Sequence, residues 1–329
     1  MPWYHGNLHC HSCKSDGQSP PPLVAAYYKQ LGHHFVGISD HNSYTPIEEY
    51  SSEGILPIPC CEYTGKEYCH VLAAGVTDAV APNLDSDDIW ERMNPDRNMQ
   101  KKLRHNRVLP KVLILQDGIN KTRAAGGIPI ICHPLWKWAF NHQELSELSN
   151  CTHIEICNAS TDCNAFPLPG RSHSDEMWDA LLSSNFRIIG LASDDAHTHT
   201  GPYSARIAIG GRGWNVVKAK SLTRENILAA ITKGHFYATT GIILASYIVA
   251  RDRIRVRVDV IDHEKTCIQF FGQGGRELQC EYESESEYFF DGNETYVRCR
   301  ISSTAGLWAW TQPVFMDELD AAVEWTTLS

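Results

Sequence analysis

Short apolar, β-rich runs recur before residue 200, and one after another they end in an imidazole or a carboxylate. The run 3–10 carries His9 and leads into His11, 34–39 leads into Asp40 and His41, and 55–61 leads into Glu62. Further on, 68–75 carries His70, 128–132 leads into His133, and 187–192 leads into Asp194, Asp195 and His197. Structural histidines would scatter along the elements instead of collecting at their ends. His9 and His11 are an i, i+2 pair, so on a strand both point to one face. Asp16 follows in Ser15-Asp16-Gly17, a turn signal that lets its carboxylate fold back towards them. Imidazoles and carboxylates converging at strand ends make a divalent-metal site.

Helical patterns alternate with these runs. Residues 23–32 follow Pro20-Pro21-Pro22 and end at Gly32, 46–53 are helix-like, 113–125 are capped by Gly126-Gly127, 144–148 form a short helix, and 174–184 start at Ser174. Residues 153–157, followed by Asn158, read as another strand. Seven strands alternating with helices predict an α/β fold with a parallel sheet, closed or distorted into a barrel. Such barrels carry their chemistry at the C-terminal strand ends, where the candidate ligands fall.

Residues 81–110 are polar and charged without a clean apolar period, which predicts an insertion or lid, with a helix at 85–93. A capped helix over 221–231 closes at Gly234. From about 241 the pattern switches to period two, as in 254–260, and Gly274-Gly275 signals a hairpin. The expected division is a metallohydrolase barrel over 1–240 and a smaller all-β, sandwich-like domain over 241–329 that holds no second active site.

A chain of 329 residues accommodates one large and one smaller domain. Its net charge of −10 argues against a general nucleic-acid surface, which needs a basic face. Anionic small substrates remain compatible, because a metal cluster reverses the local sign. No apolar stretch approaches the roughly 20 residues that span a membrane. The N-terminus shows neither a basic nor an apolar leader region, so no signal peptide is expected. The 12 cysteines, many inside apolar runs, predict reduced thiols and a cytoplasmic protein. Cys10 and Cys13 form a CxxC without a second pair, and Cys10 should face away from His9 and His11.

Together these motifs resemble the PHP family, named for polymerase and histidinol phosphatase. The resemblance rests on His9/His11, Ser15-Asp16-Gly17, Asp40-His41, Glu62, His70, His133-Pro134 and Asp195-Ala196-His197, in that order over residues 5–200. Further along, 235–241 and 308–313 are similar to the ends of PHP proteins with an extra β domain. The resemblance implies a distorted (β/α)7 barrel binding two or three divalent ions, manganese, iron or zinc. One ion would take His9, His11, Glu62 and Asp195, and a second would share Glu62 and take His70 and His133. A third would take Asp16, His41 and His197, with Asp40 orienting a ligand. Asp194 is an alternative to Asp195, which spacing favours. Asp16 stands where some members use histidine, and a hard carboxylate there shifts the expectation towards manganese or iron, with zinc still open.

Glu62, Asp195 and His197 are the expected catalytic residues. Water bridging two dications loses its proton near neutral pH and serves as the nucleophile. Arg171 and Arg206 flank the last ligand-bearing strands and are candidates to clamp a phosphate or carboxylate, with His173 beside the substrate. His173 and His199 are candidate proton donors to the leaving group. The expected function is a metal-dependent phosphoesterase acting on a small phosphorylated metabolite. The alternative is an amide, carbamate or ester hydrolase, because Glu155-Ile-Cys-Asn158, 193–197 and the tail also resemble the carbaryl-hydrolase-like branch. Without a polymerase portion, a proofreading accessory is disfavoured.

Overall fold

The computed structural model describes residues 1–82, 111–161, 163, 174–202, 204 and 206–327. The expected lid at 81–110 lies almost wholly outside the described residues. The first seven strands are β1 (Trp3–Asn7), β2 (Phe35–Ile38), β3 (Leu56–Thr64), β4 (His70–Ala74), β5 (Ile128–Ile131), β6 (His153–Asn158) and β7 (Ile189–Ser193). They neighbour one another in chain order. Outer helices are α1 (Pro21–Gln30), α2 (Lys111–Ala124), α3 (His142–Ser146), α4 (Ser174–Ser183) and α5 (Arg224–Thr232). Proline opens α1, where its missing N–H costs nothing. Asn141 and Glu144 form a reciprocal capping box on α3. The helix expected at 46–53 is instead two 3-10 turns, Ile47–Glu49 and Ser51–Glu53, stopped by left-handed Gly54.

Parallel pairing throughout does not hold. β1–β2, β2–β3, β5–β6 and β6–β7 are parallel, but β4 runs antiparallel to both β3 and β5. The cause is the short connection 65–69, closed by a bond from Gly65 N–H to Cys69 O at 2.9 Å. A parallel crossover needs about a dozen residues or more, so only a hairpin fits. Among the described residues no ladder joins β7 to β1. Their extensions meet beyond the strands, where Asp195 N–H bonds His9 O and His11 N–H bonds Ala196 O, each at 2.9 Å. The result is a large mixed sheet with flanking helices in which the extensions of β1 and β7 are held together where the ligand candidates lie.

On the other side of β1 the sheet continues through β8 (Trp214–Lys218) and β9 (Phe236–Thr239), both antiparallel to their neighbours. The C-terminal strands are β10 (Leu244–Val249), β11 (Arg253–Val258), β12 (Thr266–Gly272), β13 (Arg276–Glu281), β14 (Glu285–Phe289), β15 (Tyr296–Ser303), β16 (Trp308–Thr311) and β17 (Val314–Phe315). β16 pairs with β9, so the large sheet crosses residue 240 and ends at β13. A smaller antiparallel sheet, β10–β11–β14, packs against it. The period-two pattern explains the packing. On β11, Ile254, Val256 and Val258 point inward to Phe270, Val297 and Ile301, while Arg255 and Arg257 face solvent. A last helix, α6 (Leu319–Thr327), adds Trp325 to this core.

All 12 cysteines are free. Among the described residues no helix is long and apolar enough to cross a membrane.

Candidate metal centre

The β3–β4 hairpin builds the centre. Its register pairs Thr64 with His70 and Glu62 with Leu72, so Glu62, Thr64 and His70 share one face. Thr64 Oγ1 stands 2.6 Å from His41 Nδ1, and a bridge of the backbone sets His41 beside Glu62. His9 and His11 enter from the extension of β1, His133 from the end of β5, and Asp195 and His197 from the end of β7. Asp16 arrives on the loop after His11. A Cβ at Gly17 would lie 2.2 Å from His11 O, so only glycine lets that loop fold so closely. Asp40 holds the same loop, accepting from Ser12 N–H, Ser12 Oγ, Ser15 Oγ and Thr45 Oγ1.

The donor atoms converge on carboxylates in three groups. Asp195 Oδ1 lies 3.3 Å from His9 Nε2 and 3.0 Å from His11 Nε2. Glu62 Oε1 lies 3.5, 2.9 and 3.4 Å from His9 Nε2, His70 Nδ1 and His133 Nε2, and its Oε2 lies 3.5 and 2.8 Å from His11 Nε2 and His41 Nδ1. Asp16 Oδ2 lies 3.4 Å from both His41 Nε2 and His197 Nε2. Two donors each about 2.1 Å from one ion, opened to a tetrahedral angle, stand about 3.4 Å apart, and about 3.0 Å at a right angle. Most of these separations fall in that window, and several exceed hydrogen-bond length. His9 Nε2, His11 Nδ1 and His133 Nδ1 are buried without a hydrogen-bond partner. Such atoms are costly unless something else engages them, and the imidazole and carboxylate set suits hard or borderline divalent ions.

Electrostatics point the same way. Burial alone would raise the Glu62 carboxyl, but His41, His9 and His70 outweigh it and hold it well below the carboxylate range. Burial is likewise overcome at Asp195, lowered well below that range by His9, His11 and His197. Burial pulls His70 down to about 3 against the attraction of Glu62, whereas Glu62 and Asp16 overcome burial at His41 and push it up to about 10. Ionised buried carboxylates thus face imidazoles that are not all protonated, a set that divalent cations complete. The backbone is strained here too. His133 and Asp195 have φ of 26° and 46°, a conformation costing about 1–3 kcal/mol that persists where surroundings enforce it.

Asp195, not Asp194, faces the imidazoles. Asp194 accepts from Tyr28 Oη and from the N–H groups of Gly211, Arg212 and Gly213, clamping that loop. Cys10 faces away, its thiol on Gly37 O. Arg206 is exposed and takes part in none of the cluster's contacts. Arg171 and His173 lie outside the described residues. His199 is buried against Tyr27 and Tyr28, and burial lowers it to about 3.

Glu155, which the sequence offers only as part of a branch likeness, belongs to the site. It is buried on β6, 2.6 Å from His9 Nδ1, and accepts from His133 N–H, Ser193 Oγ and Asn158 Nδ2. It fixes the His9 ring so that Nε2 faces the cluster. Its signal was a lone carboxylate inside an apolar strand. Cys132 also borders the cluster, near His9, Glu62, His133 and Glu155.

No protein-family model matches the chain, and no curated sequence is significantly similar. Among solved structures it is similar to a two-domain protein from Bacteroides vulgatus containing a predicted PHP-like metal-dependent phosphoesterase. That match has a TM-score of 0.51 and 14% identity, covering 92% of this chain and 90% of that one. At that identity the likeness concerns the fold, and it spans both the ligand-bearing array and the C-terminal sheets. Weaker matches reach a candidate metal-dependent phosphoesterase from Bifidobacterium adolescentis (TM-score 0.43, 14% identity, 60% of this chain and 90% of that one). Another reaches an amidohydrolase from Chromobacterium violaceum (TM-score 0.36, 13% identity, 58% and 87%). Those two scores are too low to carry an argument.

Proposed function

We propose that the protein is a metal-dependent hydrolase with two or three divalent ions, acting on a small phosphate ester. The observation behind it is Glu62, whose two buried oxygens lie 2.8–3.5 Å from ring nitrogens of five imidazoles. Bound there, such ions would supply an activated water near neutral pH and a sink for oxyanion charge.

The chain's own groups prepare for that chemistry. Glu62 bridges two of the donor groups, with Asp195 beside His9 and His11. Glu155 keeps the proton of His9 on Nδ1, and Asp40 locks the loop that carries Asp16. Side-chain exposure rises from 0% at His9, His11 and Glu62 to 14% at His41, 29% at His197 and 39% at Asp16. Substrate therefore approaches from the Asp16–His197 side, which gives His197 a place at the reacting group. Arg171 and Arg206 are the proposed clamps for phosphate, with His173 beside them. A phosphate spreads charge over several oxygens, which several dications match better than they match one neutral carbonyl.

The test is a substrate comparison on manganese-loaded protein, phosphate esters against aryl carbamates and amides. Phosphate-ester turnover, inhibited competitively by inorganic phosphate and less so in Arg206→Ala, supports the reading. Efficient carbamate or amide cleavage with no effect of phosphate replaces it by the alternative.

A further inference from the structure

Strand β6 serves two sides of the molecule. Glu155 and Asn158 point to the metal-ligating cluster, and Asn158 Nδ2 bonds Asp195 Oδ2 at 3.2 Å. Ile156 and Cys157, displaced by a bulge in the β6–β7 register, line a separate cavity of about 630 Å³. That cavity sits in the seam between the ligand-bearing array, the start of α4 and the outer face of the C-terminal sheet. Its volume suits a small organic ligand, and seams between structural units commonly hold such sites.

Its chemistry is uneven. One wall is Leu307 with Trp308 and Trp310, an i, i+2 pair on β16 whose rings lie within 13° of parallel and 6.3 Å apart. Together they form a flat aromatic shelf. Trp308 keeps 38% of its surface exposed, an apolar area that a planar ligand would cover. Two guanidinium groups border the shelf, and they differ. Arg300 is committed to Asp175 at 2.6 Å and to Gln269, with its guanidinium over the Phe271 and Trp308 rings. Arg212 makes only a long bond to Ile207 O at 3.4 Å, and among the described residues it has no carboxylate partner. Of the acids lining the cavity, Asp175 pairs with Arg300 through Oδ2, its Oδ1 being buried without a hydrogen-bond partner, and Glu176 has a partner of its own. Arg212 is therefore the lining cation without a carboxylate partner among the described residues, in a chain of net charge −10.

We infer that this cavity is a second ligand site, separate from the metal-ligating cluster, for a small flat aromatic anion. The ring stacks on Trp308 and Trp310, and the anionic group pairs with Arg212. Such a ligand would rest on the reverse side of the strand that presents Glu155 and Asn158.

The test uses 2-naphthoate as the probe and 2-naphthamide as its neutral counterpart, titrated calorimetrically into the full-length protein. Saturable one-to-one binding of 2-naphthoate is expected, with the amide about tenfold weaker. Arg212→Gln should abolish the preference for the anion, and Arg212→Lys should retain most of it. Trp308→Ala should weaken both probes about tenfold. Prior stripping of metal with a chelator should leave binding unchanged. The inference is overturned if 2-naphthoate does not saturate, if its affinity survives both Arg212→Gln and Trp308→Ala, or if chelation abolishes binding. That last result would move the probe to the metal-ligating cluster.

Discussion

Two regions of this molecule bury charge, and they treat it in opposite ways. Beneath α4, Arg298 is wholly buried, and its Nε and Nη2 meet the two oxygens of Asp179 at 2.8 and 2.5 Å. Tyr296 Oη bonds Asp179 as well, and the guanidinium lies over the Trp178 and Phe271 rings. The two-point clamp pairs each Asp179 oxygen with one guanidinium nitrogen, leaves Nη1 without a partner, and ties α4 to β15. At the ligand-bearing strand ends, Glu62 and Asp195 are equally buried, but several imidazoles crowd each carboxylate, some at 3.4–3.5 Å, and ring nitrogens such as His9 Nε2 and His11 Nδ1 are left without a hydrogen-bond partner. A closed pair holds two layers together, whereas an open constellation is arranged around something it must bind.

Substitutions can break that contrast, starting with the largest effect. Glu62→Gln removes the shared carboxylate charge. It should lower turnover by about a thousandfold or more and reduce bound metal, while the thermal midpoint of the chelated protein changes little. Near-normal turnover and metal content in Glu62→Gln would refute the bridging role. Asp179→Ala should do the reverse. It strands a buried guanidinium and should cost about 3–5 kcal/mol of stability in denaturant titration. Metal content in the folded fraction should be unchanged, and metal loss without destabilisation would erase the distinction between the regions.

A subtler change is Glu155→Gln, which keeps the shape but weakens the hold on His9 Nδ1. Metal affinity should fall about 10- to 100-fold, read by competition with a chromophoric chelator. An unchanged affinity would make Glu155 a packing residue. The smallest effect concerns pH. His153 is buried on the far end of β6, its Nε2 on Ile231 O at 2.9 Å, and burial lowers it to about 4. Because the folded value lies below the unfolded one of about 6.5, this group stabilises the fold above pH 6.5. That contribution is lost as pH falls towards 4, by up to about 1.4 kcal/mol per pH unit. In chelator, His153→Gln should show a shallower loss of urea midpoint between pH 7 and 5 than the parent protein. Equal slopes would contradict the assignment.

Much of this was legible in the chain itself. Ligand-type residues at the ends of apolar runs announced both the strands and the cluster, because strand geometry turns spacing into facing. The antiparallel β4 was legible too, since the few residues between Glu62 and His70 leave no room for a crossover. Periodicity does not weigh loop length, so strand–helix alternation alone predicts a parallel strand there. Glu155 enters the sequence reading only as part of a branch likeness, because it lies inside its apolar strand instead of ending it. Its role depends on which ring it meets across 146 residues of chain, a fact of packing. The salt bridge Arg298–Asp179 was invisible for the same reason. In the C-terminal strands, alternation gave the buried faces but not which sheet each strand would join.

The central claim is that the open constellation exists to hold metal, and the most direct measurement is the metal content of the natively purified chain. Elemental analysis should find two or three divalent ions per chain in the parent protein and fewer in Glu62→Gln, with both proteins folded. One ion or none in the folded parent protein, with no uptake on adding manganese, iron or zinc, would contradict the account.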